Sequence, residues 1–212
     1  MAICDKAEVK YQMNKIDQIK GENLGDRYLA VNPTGHIPMI EDGTYRVLGG
    51  NHIIFVYLCK SKSTIGSKLL PVESEQATKG VLGWYHAKMA TPGMQLYKMV
   101  YQSDKLPKKP TLAHFNKHRK EIIDSLAALE SKLIAQPYLC GKSMTIGDIV
   151  VFNEISMFME MCDLKPSDAE IKAFPSLSKW LTGKMFSDPV LQKLDQDMKN
   201  AAKGLKKSIP SS

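Results

Sequence analysis

Around Leu69-Leu70-Pro71 the spacing of apolar residues changes period. Before that point Val9, Tyr11 and Met13 alternate with Lys10, Gln12 and Asn14, the two-residue repeat of a half-buried strand over 9–14. After it, Ile122, Leu126, Leu129 and Leu133 recur three and four residues apart and mark one face of a helix. A small α/β unit followed by an all-α unit is therefore expected. In the first, residues 23–30 read as a short helix closed before Asn32-Pro33. Pro38-Met39-Ile40 and residues 45–48 read as two strands around the turn Asp42-Gly43. Residues 51–59 read as an apolar helix with Asn51 as its N-cap. In the second unit one long helix is expected over 73–101, bent near Pro92-Gly93. Further helices follow over 112–135, 145–161, 176–185 and 190–203, the one over 145–161 being the more apolar and central. The division expected is 1–62, a linker over 63–72, the helical part over 73–204 and a basic tail over 205–212.

Composition narrows the function classes. With 212 residues and 43% hydrophobic content, the chain can bury a full core. No apolar run reaches the roughly 18–20 residues of a membrane span, and the start MAICDKAEVK lacks the pattern of a secretory signal. Cys4, Cys59, Cys140 and Cys162 are too far apart for a zinc or redox pair and read as reduced thiols of a cytoplasmic protein. Part of the net charge of +7 comes from the lysines that crowd near the C-terminus, and a second basic patch lies at 105–109. These runs read first as a solvated tail and a loop, and second as surfaces for an acidic protein partner; no nucleic-acid motif accompanies them. His114 and His118 are four apart on one helix face; with Lys117 and Arg119 beside them and no third ligand, no metal is assigned. Met157, Phe158, Met159 and Met161 read as core. Trp84, Tyr85, Met89 and Tyr97 read equally as core or as the lining of an apolar pocket.

Two stretches are more specific. In Asn32-Pro33-Thr34-Gly35-His36-Ile37-Pro38, a cis Ile37–Pro38 bond would turn the backbone N–H and C=O of Ile37 outward, toward an extended ligand. In Thr145-Ile146-Gly147-Asp148, the Thr oxygen can cap the helix while the Asp carboxyl returns to the N–H of Thr145. That pair is a folding device rather than a catalytic one. Together with 10–21, Asp42-Gly43, Leu70-Pro71, Trp84 with His86, Phe174-Pro175 and Trp180-Leu181, these stretches resemble the cytosolic glutathione transferase family, most closely its theta-like branch. The resemblance runs from about Glu8 to about Leu194. It implies a thioredoxin-like domain followed by an all-helical domain, in many members a dimer, with glutathione held at His36, Ile37, Pro38 and Asn51 and no covalently bound cofactor.

The same resemblance exposes departures. The family's first strand, which is central in its sheet and ends in a thiolate-stabilising Ser or Tyr, has no counterpart before residues 9–14. Gly50-Asn51 stands where the family has Glu or Gln followed by Ser. Asn23 and Leu24 stand where basic residues often hold the glycine carboxylate of glutathione. No catalytic residue is assigned. Three readings of the missing strand stay open: a longer protein, a strand donated by another chain, or closure of the remaining strands. The expectation is a pseudoenzyme, a non-catalytic structural or binding subunit of a larger cytoplasmic assembly, with a protein partner or a second copy of itself. The alternative is an active theta-like transferase joining glutathione to electrophiles, written here without its N-terminal strand. A third reading is a peptide-binding module that uses the Ile37–Pro38 edge.

Overall fold

The computed structural model describes residues 2–18, 20–48, 50–203 and 205–206, without the side chains of Asn51, His52 and Ser63. The chain divides into two compact units at Pro71 and Val72.

In the first unit, helix α1 (Ala2–Lys6) ends where the Cys4 carbonyl accepts from Ala7 and Val9. The strand expected over 9–14 does not form. A strand exists only by pairing, and the single sheet among the described residues consists of β1 (Met39–Asp42) and β2 (Tyr45–Leu48), joined antiparallel to each other. Without a ladder the alternating side chains of the segment stay in solvent: Tyr11 is 44% and Met13 50% exposed. The hairpin itself is as expected. Met39 faces Leu48 and Asp42 faces Tyr45, which leaves Gly43-Thr44 as a two-residue turn. Gly43, at φ 61°, supplies the left-handed conformation such a turn needs. Before the hairpin, a 3-10 turn (Glu22–Leu24) leads into helix α2 (Asp26–Leu29), which divides the expected helix over 23–30 at Gly25. After it come α3 (Asn51–Ser61) and α4 (Ser63–Leu69), so most of the segment read as a linker is helical. Lys62, between them, donates to both carboxyl oxygens of Asp42 at 3.0 and 2.8 Å, and the Tyr57 hydroxyl donates to Asp42 at 3.1 Å. The Lys62 ammonium thereby holds the Asp42 carboxyl below its usual range and ties the hairpin turn to the end of α3.

In the second unit the expected long helix is a continuous path with a defect. Helix α5 (Val72–Tyr85) passes through a π segment (His86–Ala90) into α6 (Thr91–Tyr101). Pro92 has no N–H to give the carbonyl of Lys88 four residues back, and its ring crowds that carbonyl. The widened turn makes room, and the Ser125 hydroxyl reaches Lys88 O from another helix at 3.5 Å. Helix α7 (Leu112–Ala135) starts at Thr111, whose oxygen accepts from His114 N at 3.3 Å, and buries Phe115, Ile122, Leu126, Leu129 and Leu133. Helix α8 (Ile146–Met161) is the core element: twelve of its sixteen residues are buried, including Phe158, Met159 and Met161. It packs against α5, α6 and α11 (Pro189–Ala202), while α7 packs against α6 and α10 (Pro175–Trp180). The short helix α9 (Ala169–Lys172) precedes α10, which runs on into a second π segment (Leu181–Met185). Of the expected basic tail, Lys206 donates to Glu160 O at 2.7 Å and Asp163 at 2.5 Å; residues 207–212 lie outside the described residues.

The start of α10 has no side-chain cap of its own. Pro175 carries no N–H, and Glu130 on α7 accepts from Ser176 N at 3.0 Å and Leu177 N at 2.8 Å. One carboxylate from a neighbouring helix thus satisfies the exposed donors of the first turn and meets the positive end of the helix dipole. Glu130→Ala is expected to lower the unfolding free energy by about 1–2 kcal/mol in urea titration, with Glu130→Gln recovering part of it.

Candidate functional site

The loop 32–38 is assembled from beneath. Asn32 is fully buried, and its amide nitrogen donates to His36 O at 2.6 Å and to the Tyr28 hydroxyl at 3.3 Å. Its carbonyl oxygen accepts from Thr34 N at 3.1 Å and from the Thr34 hydroxyl at 2.6 Å. Tyr28, on α2, donates to the same His36 carbonyl at 2.7 Å. Asn23 donates to Gly35 O at 2.7 Å, and His36 N donates to Thr34 Oγ1 at 3.3 Å. Four side chains therefore occupy the inward-facing polar groups of the loop, and the Ile37–Pro38 peptide bond at its end is cis.

Above this base lies a cavity of about 260 Å³ lined by Thr34, His36, Ile37, Leu48 and Gly50. That is just below the roughly 300–1,000 Å³ of pockets that swallow a drug-sized ligand, so it suits one end of an extended molecule. Its far wall is the start of α3. The cap there is Gly50, in extended conformation and without a side chain, and Asn51 is the first helical residue rather than the cap. The first N–H groups of a helix have no partner within it, which makes this wall attractive to a carboxylate. No side-chain capping hydrogen bond closes it, and the Asn51 side chain itself lies outside what the structure describes.

The structure thus brings His36 and Ile37 together in one cavity with the α3 start. It adds three residues that sequence reasoning passed over. Asn32 and Tyr28 build the loop, and Thr34 contributes a hydroxyl to the cavity wall. The family's thiolate-stabilising hydroxyl ends a strand placed before residues 9–14, whereas Thr34 lies within the loop itself. Its proton, however, is directed at Asn32 and its lone pair receives the His36 N–H. Asn23, read as a lost ligand position, is a buried structural donor.

Thr145 and Asp148 are far from this cavity in the sequence and belong to the helical unit. Thr145 Oγ1 accepts from Gly147 N at 3.2 Å. Asp148 accepts from Thr145 N at 3.0 Å and from the Thr145 hydroxyl at 3.0 Å. A third donor, Leu139 N at 2.8 Å, comes from the preceding loop. Burial holds the Asp148 carboxyl above its ordinary range, with these donors only partly opposing the rise. His114 and His118 each have separate partners, Thr111 at 3.2 Å and Glu121 at 2.8 Å. No cluster of metal-ligating side chains occurs among the described residues. No helix among them is long and apolar enough to cross a membrane.

Comparison with known proteins agrees with this architecture. The family described as glutathione S-transferase, C-terminal domain, matches residues 94–188. A glutathione S-transferase domain-containing protein of Dictyostelium discoideum is 25% identical over 180 residues, covering 82% of this chain and 65% of that protein. Glutathione S-transferase theta-2 of Homo sapiens is 24% identical over 157 residues, covering 71% of this chain and 62% of that protein. The chain thus spans less than two thirds of the length of these two curated relatives. Among solved structures, an apo form of a mutant human glutathione-S-transferase T1-1 superimposes with a TM-score of 0.80 at 20% identity, over 100% of this chain and 86% of that one. The theta class glutathione S-transferase of the citrus canker pathogen Xanthomonas axonopodis pv. citri, with glutathione bound, gives 0.73 at 23% identity, over 91% and 87%.

Proposed function

We propose that this glutathione-transferase-like chain, similar to theta-class members, binds glutathione, or a peptide of the same extended form, without activating its sulfur. The cysteinyl backbone would pair with the N–H and C=O of Ile37, and the γ-glutamyl carboxylate would face the start of α3 at Gly50 and Asn51. His36 and Pro38 shape the bend between them. The observation that carries the reading is the Thr34 hydroxyl. It is the only hydroxyl side chain among the described residues lining the cavity, and its hydrogen is already donated to buried Asn32 at 2.6 Å. A thiol without a donor aimed at its sulfur keeps a pKa near the roughly 8.5 of free cysteine and stays mostly protonated at neutral pH. The role that follows is a binding or structural subunit. A homodimer or a complex with another chain is the proposed form, supported by the solvent-exposed Tyr11, Met13, Tyr45 and Ile53 of the first unit.

The second reading, conjugation of glutathione to electrophiles, is favoured by the loop itself, whose inward polar groups are all engaged so that Ile37 is presented in one fixed geometry. Calorimetry with glutathione, paired with a conjugation assay on a standard chloronitrobenzene, separates the two. Heat of binding with no turnover above buffer is expected. Turnover at rates ordinary for the family would establish the second reading, and absence of binding both to glutathione and to an extended tripeptide of the same form would remove both.

A further inference from the structure

Glu154 reaches from the middle of α8 to both flanks of the π segment His86–Ala90. Its Oε2 accepts from the hydroxyl of Tyr85, the last residue of α5, at 3.0 Å. Its Oε1 lies so close over Gly93, in the first turn of α6, that a β-carbon at that position would overlap it. One carboxyl therefore joins the residue just before the defect to a residue just after it, and a glycine is what lets it approach. Between these anchor points His86, Ala87 and Lys88 are exposed and Met89 is fully buried. A π turn inside a helical path is weaker than the helix around it and often sits where a protein moves or binds.

The charges around the carboxyl are few. From α5 it meets Tyr85, whose phenol burial and the nearby carboxylate push far above its usual value, so the tyrosine stays a donor throughout the physiological range. On α6 it approaches Gly93. On α11, Asp195 accepts from the hydroxyl of Ser156, two residues along α8, and Lys199 donates to Asp195 at 2.7 Å. His86 is the neighbouring titratable group along the chain. Burial pushes Glu154 itself up to about 7, against the opposing pull of the Tyr85 hydrogen bond.

We propose that Glu154 is a proton-operated latch on the segment His86–Ala90: neutral, it holds α5 and α6 in register across the π turn, and ionised, it draws in water and lets the segment open. A carboxyl that is easier to protonate in the closed form than in the open form favours closure fully below its ordinary value of 4.5. It loses that contribution progressively as pH rises, and has lost it above about 7. The latch is thus closed in mildly acidic surroundings and loosened in alkaline ones.

Hydrogen exchange of residues 84–93 in the full chain, corrected for the intrinsic pH dependence of exchange, reads this directly. Protection is expected to fall by about tenfold or more between about pH 5 and pH 8. In Glu154→Gln, which is neutral at every pH, protection should no longer depend on pH, and His86→Gln should keep the wild-type profile. Tyr85→Phe removes the donor that favours the carboxylate and should move the transition to higher pH. Protection independent of pH in the wild type, or a response that survives in Glu154→Gln, would overturn the latch. Carboxyl-carbon NMR of the wild-type protein does not depend on any variant folding. One glutamate titrating near 7 supports the proposal, and titration of every glutamate below about 5 overturns it.

Discussion

Asp148→Ala is expected to lower the unfolding free energy of the chain by about 3 kcal/mol, measured as a shift of the urea midpoint at unchanged slope. The carboxyl is fully buried and receives three donors, the N–H groups of Leu139 and Thr145 and the Thr145 hydroxyl. Removing it leaves two buried backbone N–H groups without partners, at about 1–3 kcal/mol each, and some of this is returned because a buried carboxylate no longer has to be kept from water. The position also holds the loop before α8, so the damage exceeds that of a lost cap alone. Thr145→Ala, which removes an acceptor of Gly147 N–H and a donor to Asp148 but orphans no buried N–H of the preceding loop, is expected to cost about 1 kcal/mol. Asp148→Asn keeps one acceptor oxygen and should fall between the two. Equal effects from all three substitutions would mean that the helix start, and not the loop attachment, carries the stability.

Asn32→Ala is expected to abolish measurable glutathione binding while leaving the helical unit intact. The side chain has no exposed surface and four hydrogen bonds, two outward to His36 O and the Tyr28 hydroxyl and two inward from Thr34. With it gone, His36 O retains Tyr28, but Thr34 loses the acceptor of both its N–H and its hydroxyl. The loop then has no single way to present Ile37. A cost of about 1–2 kcal/mol, confined to the first unit, follows from losing a buried amide with four hydrogen bonds, since exposed Thr34 can turn its freed donors to water. Amide exchange should show it: protection is lost over residues 23–48 and kept over 112–161. Tyr28→Phe, which removes one of two donors to His36 O, should weaken binding several-fold without eliminating it. Unaltered affinity in Asn32→Ala would place the binding surface elsewhere.

The contrast between units shows what a sequence can and cannot reveal. The long helices were legible because their apolar residues face one another along each element: Ile122, Leu126, Leu129 and Leu133 lie on one face and are all buried. The cap at Thr145 was legible because both of its partners lie within three residues. The segment 9–14 has the pattern of a strand but forms none, since pairing depends on a neighbour that pattern cannot supply. The bend near Pro92 was visible in the proline, yet its form, a π turn five residues long ending just before Thr91, depends on Ser125 and Glu154 from other helices. In the loop 32–38 the turn residues were readable, while the role of Tyr28 was not, because an exposed-looking tyrosine on a four-residue helix carries no local sign that its hydroxyl will meet His36 O. Glu130 and Glu154 escaped for the same reason. Each acts on a helix 46 or more residues away in the chain, and charged residues at helical spacing look solvated until the fold places them.

What a bound sulfur experiences beside Ile37 decides the account. Ultraviolet absorption of the glutathione thiolate, followed across pH in the presence of saturating protein, measures it without any electrophile. With the Thr34 hydrogen committed to Asn32, bound glutathione should ionise near the roughly 8.5 of an unassisted thiol. Ionisation of the bound thiol one unit or more below that value would show a donor at the sulfur and contradict the account.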